Sequence, residues 1–384
     1  MSLEDVIANE NSRIFTREFT FSATLFDRSD GQEVELCDGA VWIDDLLLLF
    51  QIKERNPHYD THDAREETKW FERKVEKDAV GQFVDTLRYL REENSLPFAN
   101  HRGQTLDFAL AQPTRIHLIA LFDSSEALPL DVASRKGRTS KRVGFVHYFH
   151  RVDYQAICLI LHTPTEIAEY LHFRANFVQR NEKANRVSEK ALFGKFLTDA
   201  DDSNDIRDEH EFVVDRLVDD RDDFNISRLL AVYFDRIAYG NEGTQYHAIL
   251  SELAKLPRNM LREFRKRFEW AMSKCHDDAL AKPSRFYSKS QECSFIAIPL
   301  PTEERRNWQE HLNIYTRLCK YDFKSKRCLG FTTAIDADRP DAYAIHWCHL
   351  NFDWQPIPEM EAILAEENWF RDTKEQLLGK YKLR

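Results

Sequence analysis

The run Leu46-Leu47-Leu48-Leu49-Phe50 constrains this chain more than any other segment. Consecutive apolar residues without alternation do not suit a sheet with one wet face; they suit a strand buried on both sides. Strands of that kind belong to α/β proteins, whose sheets carry helices on both faces. The run closes with Gln51-Ile52-Lys53, so two polar side chains end a strand that is otherwise apolar. A lysine at such a place needs a partner or a cavity, because burying an unpaired charge is costly.

The partner is legible just upstream. Ile43 and Leu46 flank Asp44-Asp45, and residues 33–53 read EVELCDGAVWIDDLLLLFQIK. With the two acids as a two-residue loop, the segment is a β-hairpin. Asp38 then lies directly opposite Gln51, with about 5 Å expected between their Cβ atoms. Lys53 is two residues beyond Gln51 and shares its face. The hairpin therefore gathers Asp38, Gln51 and Lys53.

The flanking elements give an order. A helix is expected over 4–18 and a strand over 19–26, where apolar residues recur at period two. Turn residues follow at 27–31, then strands over 33–43 and 46–53. A helix over 65–93 carries Val75, Ala79, Phe83, Leu87 and Leu90 at helical spacing. Strands are expected at 115–122 and 143–149, and the AICLIL run before Thr163 also reads as a strand. Thr163-Pro164-Thr165-Glu166 is a helix start with a capping box.

These residues and this order resemble the PD-(D/E)XK, or restriction endonuclease-like, nuclease superfamily. Its core is αβββαβ, with Asp on the second strand and (D/E)-x-K on the third. Asp38 matches the Asp and Lys53 the Lys. Gln51 stands where an acid is usual, as in the Q-x-K variant found among methylation-dependent restriction enzymes, and Cys37 stands where Pro is common. The resemblance covers residues 1–165. It implies a Mg²⁺-dependent endonuclease of DNA, in restriction or anti-phage defence, with Mn²⁺ able to substitute. It implies Asp38, the Gln51 amide oxygen and the Ile52 carbonyl as metal ligands, and Lys53 as the group that orients or deprotonates water. The family often adds a glutamate from its first helix. Glu18 is the expected residue, with Glu10 and Glu35 as rivals. Glu35 is read onto the face opposite Asp38, since their separation is odd.

Phosphate contact is expected from the basic loop Arg135, Lys136, Arg138, Lys141 and Arg142. Arg262, Arg265, Lys266 and Arg267 form a second cluster that reads as a solvated helix face. Lys77 and Gln82 could face the site from the helix after the hairpin, and His58 and His62 follow Lys53 closely.

Residues 1–198 are read as the nuclease-like domain with a helical extension, 199–223 as an acidic connector, and 224–384 as an α+β domain. In the last, helices are expected near 225–239, 244–255, 258–273 and 358–378, and strands near 295–300, 328–334 and 343–350. The acid-rich stretch sets the boundary.

A net charge of −11 argues against a protein that coats nucleic acid by bulk charge, but not against one with a local basic groove. No apolar run approaches the roughly 20 residues of a membrane span. The opening MSLEDVIANENS is unlike a secretory leader, and the 7 scattered cysteines form no C-x-x-C pair, so a cytoplasmic protein with reduced thiols is expected. His346-Trp347-Cys348-His349 alternates along a strand and lacks a second ligand pair for zinc. Two other functions fit the same residues: a degenerate nuclease fold that binds without cleaving, and an RNA nuclease. The expected partners are DNA and either a second copy or a defence subunit.

Overall fold

The hairpin forms in the expected register. In the computed structural model, which describes residues 2–22, 24–28, 31–55, 63–198, 205–207, 209–236, 243–366, 369–372 and 379–384, Ile43 pairs with Leu46 and Gly39 with Phe50. Asp44 takes a left-handed φ of 52°, which aspartate tolerates at a tight turn. The Trp42 indole N–H donates to the Asp44 carbonyl at 2.9 Å and closes the loop.

The first strands are β1 (Thr20–Ser22), β2 (Leu25–Asp27), β3 (Glu33–Glu35), β4 (Gly39–Ile43) and β5 (Leu46–Glu54). After two short strands, β6 (Pro97–Ala99) and β7 (Thr105–Asp107), come β8 (Arg115–Asp123), β9 (Gly137–Ser140) and β10 (Gly144–His150). The central sheet has six strands in the order β1-β4-β5-β8-β10-β9. Its pairs β5–β8 and β8–β10 are parallel; the others are antiparallel.

Helices cover both faces. The first are α1 (Leu3–Ile14), α2 (Ala64–Phe71), α3 (Ala79–Glu92), α4 (Leu130–Ala133) and α5 (Arg151–Leu161). A π-helical segment, Glu72–Asp78, joins α2 to α3. Leu47, Leu49 and Phe122 share a core with Trp70, Phe71, Val75 and Phe83 from that side. From the other side Tyr154 of α5 packs on Phe50 and donates its hydroxyl to Asn11 of α1 at 2.7 Å. Leu46 through Phe50 are all buried, and each side chain contributes about 1.5–3 kcal/mol by leaving water. The apolar run thus does what an unalternated strand must.

Four expectations are corrected here. The helix over 4–18 stops at Ile14, and Arg17–Phe19 is a separate 3-10 turn. The strand over 19–26 is two short strands, β1 and β2. The strand over 33–43 is also two, because β3 pairs with β2 outside the main sheet and Leu36–Asp38 form a crossing between them. AICLIL is helical, part of α5. Its buried residues Tyr154, Ile157, Cys158 and Leu161 hold helical spacing, which a short apolar run conceals.

The chain next forms α6 (Pro164–Arg180), α7 (Glu189–Thr198), α8 (Glu209–Arg216), α9 (Arg221–Phe224), α10 (Ser227–Ala231), α11 (Tyr233–Arg236), α12 (His247–Ala254) and α13 (Arg258–Lys274). Thr163 caps α6 as expected, accepting from the Glu166 N–H. There follow β11 (Ser284–Ser288), β12 (Cys293–Pro299), α14 (Trp308–Asp322), β13 (Arg327–Ile335), β14 (Tyr343–Asn351) and α15 (Pro358–Glu366). Neither β11 nor α14 was expected from the sequence.

Two compact units result. Unit 1 is Met1–Asp219 with Tyr381–Arg384, and unit 2 is Asp220–Lys380. Unit 2 is built on a four-stranded sheet, β11-β12-β13-β14, in which only β12–β13 is parallel. Helix α14 lies so close to this sheet that a Cβ added at Gly330 would stand 2.1 Å from the Thr316 hydroxyl. No helix among the described residues is long and apolar enough to cross a membrane.

Candidate functional site

Asp38 ends the crossing between β3 and β4, and its position is fixed from three sides. Thr24 accepts from the Cys37 N–H at 3.1 Å and donates to the Cys37 carbonyl at 2.9 Å. The Thr86 hydroxyl of α3 donates to the Leu36 carbonyl. Asp38 donates its own N–H to the Phe50 carbonyl at 3.2 Å and accepts the Ile52 N–H on Oδ2 at 2.5 Å. The crossing therefore reads out the end of β5 through the backbone.

Gln51 and Lys53 meet Asp38 there. Lys53 Nζ lies 3.3 Å from Asp38 Oδ2 and donates to Gln51 Oε1 at 3.0 Å. Gln51 is 2% exposed, while the Asp38 and Lys53 side chains are 8% and 14% exposed. The cluster is thus dry but reachable. It lies at the carboxyl end of β5, beside β8, where Lys53 pairs with Phe122 and Glu54 with Asp123. In open α/β sheets, ligands bind at the carboxyl ends of strands.

Glu18 lies elsewhere in the fold. It sits in the 3-10 turn before β1, is 2% exposed, and its Oε1 accepts from Arg102 Nε at 3.0 Å. Glu10 accepts from the Gln155 amide at 2.6 Å. The first-helix acid that feels the site is Glu4. Burial raises its pKa, the Asp38 carboxylate raises it further, and Lys53 opposes both. Glu35 behaves alike: burial raises its pKa, followed by Asp38 and then Glu4. Glu35 does not follow the alternation expected along one strand, because the strand breaks between it and Asp38. The sequence held one clue to Glu4. Ser2 and Asp5 form a capping box that starts α1 at Leu3 and puts Glu4 in its first turn.

A second acid was also missed. Glu67 of α2 is fully buried, and its Oε1 lies 2.9 Å from Arg55 Nε, two residues past Lys53. The Arg55 guanidinium also rests on the Trp70 ring. This clamp holds α2 at the end of β5.

The basic segment is not one loop. Arg135 pairs with Glu76 at 3.1 Å, and Lys136 is 3% exposed, donating to the Ser134 carbonyl at 2.9 Å. Lys136 also faces Glu189, which Arg174 holds with two further bonds at 2.8 and 3.0 Å. Residues from Gly137 to Ser140 are β9. Arg138, Lys141 and Arg142 remain exposed around the β9–β10 turn.

Arg262, Arg265, Lys266 and Arg267 are each engaged: with Asp220, with Glu269, and the last two with Glu263. Lys77 and Gln82 are exposed. His58 and His62 lie outside the described residues. His346 and Cys348 alternate with His349 across β14; His346 stacks on Trp308 while His349 meets Glu252. Among the described residues, no three His, Cys, Asp or Glu side chains converge as a ready metal cluster.

No family model, no curated protein and no solved structure matches this chain.

The donor set suits a hard cation. The Asp38 carboxylate, the Gln51 amide oxygen and the Ile52 carbonyl are oxygen donors that could serve as ligands, and Mg²⁺ is commonly held by one or two carboxylates with several waters. Glu4 and Glu35 both interact electrostatically with Asp38 and Lys53, and either would supply a second negative charge.

Proposed function

We propose that unit 1 is a nuclease that hydrolyses phosphodiester bonds of DNA with the aid of Mg²⁺, on an αβββαβ core of the restriction endonuclease-like kind. The observation that carries this reading is the Lys53 ammonium set on both Asp38 and Gln51 at the end of a buried parallel strand. The order α1, β1, β4, β5, α2–α3, β8 supports it. A role in restriction or defence with a partner subunit follows from the same resemblance, and the scattered, unpaired cysteines fit the reducing cytoplasm.

Asp38, Gln51 and the Ile52 carbonyl would hold the metal, with Glu4 supplying charge that Gln51 does not. A cation held there would neutralise charge on the phosphate oxygens. Lys53, held by two acceptors, orients a water for attack and stabilises the developing negative charge. Arg138, Lys141 and Arg142 contact the phosphate backbone without reading sequence. Arg135 and Lys136, engaged by Glu76 and by Ser134 and Glu189, act by holding β9 in place.

A second reading is a binding module of nuclease fold without catalysis. The neutral Gln51, beside a lysine already bonded to both Asp38 and Gln51, favours it. Calorimetric titration with Mn²⁺ separates the two. The nuclease reading expects saturable binding that Asp38→Asn abolishes. It expects Gln51→Glu to tighten binding about tenfold, roughly 1.4 kcal/mol. Absence of binding in both the native chain and Gln51→Glu supports the binding module instead.

A further inference from the structure

A sheet edge is a row of unpaired backbone donors and acceptors, and proteins blunt such edges with short strands, charges, proline or cover. Three of the four outer strands in the two main sheets are blunted. β1 has three residues and is bridged at Phe21 by Asn100. β9 has four residues, carries Arg138, and is flanked by Asn185, which accepts the Lys136 N–H at 2.9 Å. β11 has five residues; its Arg285 pairs with Asp322, and the Arg285 carbonyl accepts from Arg267 at 3.2 Å.

β14 is different. It has nine residues, YAIHWCHLN, with no Asp, Glu, Lys, Arg, Pro or Gly. All nine pair with β13 on one side. On the other side no backbone hydrogen bond reaches it among the described residues. Every residue from Tyr343 to Leu350 is half-buried, and each face has packing partners, Tyr233 and Glu252 on one and Trp308 on the other, while among the described residues the edge itself is uncovered. Trp347 rests on Phe331, Phe264 and Tyr233, while His346 stacks on Trp308, which stiffens the strand.

We infer that β14 pairs antiparallel with β14 of a second copy of this chain, joining two four-stranded sheets into one of eight. An uncharged edge offers nothing for a charge-selected peptide to read. A two-fold axis through Trp347 overlaps all nine positions. It sets Trp347 beside its counterpart, Ile345 beside His349 and His346 beside Cys348. No rung then opposes like charges or meets a residue that weakens a ladder. Directly opposed aromatic pairs add to sheet stability, and the interface is self-complementary, as a two-fold dimer requires. This inference is independent of the nuclease reading.

The test uses the full chain. Light scattering after size exclusion should give the mass of two chains, and hydrogen exchange should show every amide of β14 protected, not alternate ones. His346→Cys then places a thiol opposite Cys348 of the second copy. With diamide as oxidant this variant should form a covalent dimer, whereas Ala344→Cys, which faces Leu350, should not. A single-chain mass with exchange at alternate β14 amides overturns the inference. So does a dimer in which Ala344→Cys crosslinks and His346→Cys does not.

Discussion

Asp38, Gln51 and Lys53 are brought together by parity along a hairpin, which is why three separated letters could be read as one cluster. Lys53 and Gln51 share a face because strand side chains alternate, and Asp38 meets them because a two-residue loop sets the register. Glu4 and Glu67 reach the same end of the sheet from helices. Sequence spacing holds no information on how a helix docks, so Glu67 was not legible, and the capping box at Ser2 and Asp5 was the single clue to Glu4, where the reading had favoured Glu18. The two glutamates have opposite expected signatures. Glu4→Gln should weaken Mn²⁺ binding about fivefold, roughly 1 kcal/mol, with little change in stability. Glu18→Gln should leave binding unchanged. It should destabilise the fold by about 3 kcal/mol in urea, because it strips the charge partner from the largely buried Arg102.

At the scale of elements, β8 and β10 carry a layer of histidines against α5 and α6. His147 is 1% exposed; its Nδ1 accepts from Arg174 at 3.2 Å, and its ring lies near that of His117. Burial lowers the pKa of His117 to about 4, with His172 and Arg115 adding to the effect. Burial and the Arg174 charge put His147 well below its ordinary 6.5. A histidine depressed on folding is neutral in the folded chain and takes up protons when unfolded. Stability is therefore intact above about 6.5 and falls as the pH drops from there toward 4. Urea midpoints measured across that range should decline, and His117→Phe should flatten the slope. The strands that carry His117 and His147 were legible from their apolar residues, and both form as β8 and β10. AICLIL looked like a strand because its charged flank, Arg151 to Asp153, lies on the first turn of the helix and outside the apolar run.

For the whole molecule, each unit has a core of its own. In unit 1 the sheet core gathers on β4, β5, β8 and β10; in unit 2 it gathers on β12, β13 and α14. The boundary between Asp219 and Asp220 falls inside the acid-rich stretch, parts of which lie outside the described residues. Unit 2 was the less legible half. β11 is short and mixed, and α14 opens within a charged segment whose apolar stripe, Leu312, Tyr315, Leu318 and Cys319, shows only at helical spacing. Independent cores predict that residues 220–380, produced alone, unfold cooperatively and keep a mixed helix and strand circular dichroism spectrum. A non-cooperative melt would show that unit 2 needs the rest of the chain.

The central claim is that Asp38, Gln51 and Lys53 form a working phosphodiesterase site. Supercoiled plasmid incubated with Mg²⁺ and the full chain tests it most directly. The account predicts nicked or linear product with the native protein, abolished by chelation. It predicts a rate lower by about 10²–10⁴ in Lys53→Ala and in Asp38→Ala. Equal cleavage by all three proteins, or none by the native chain, would contradict it.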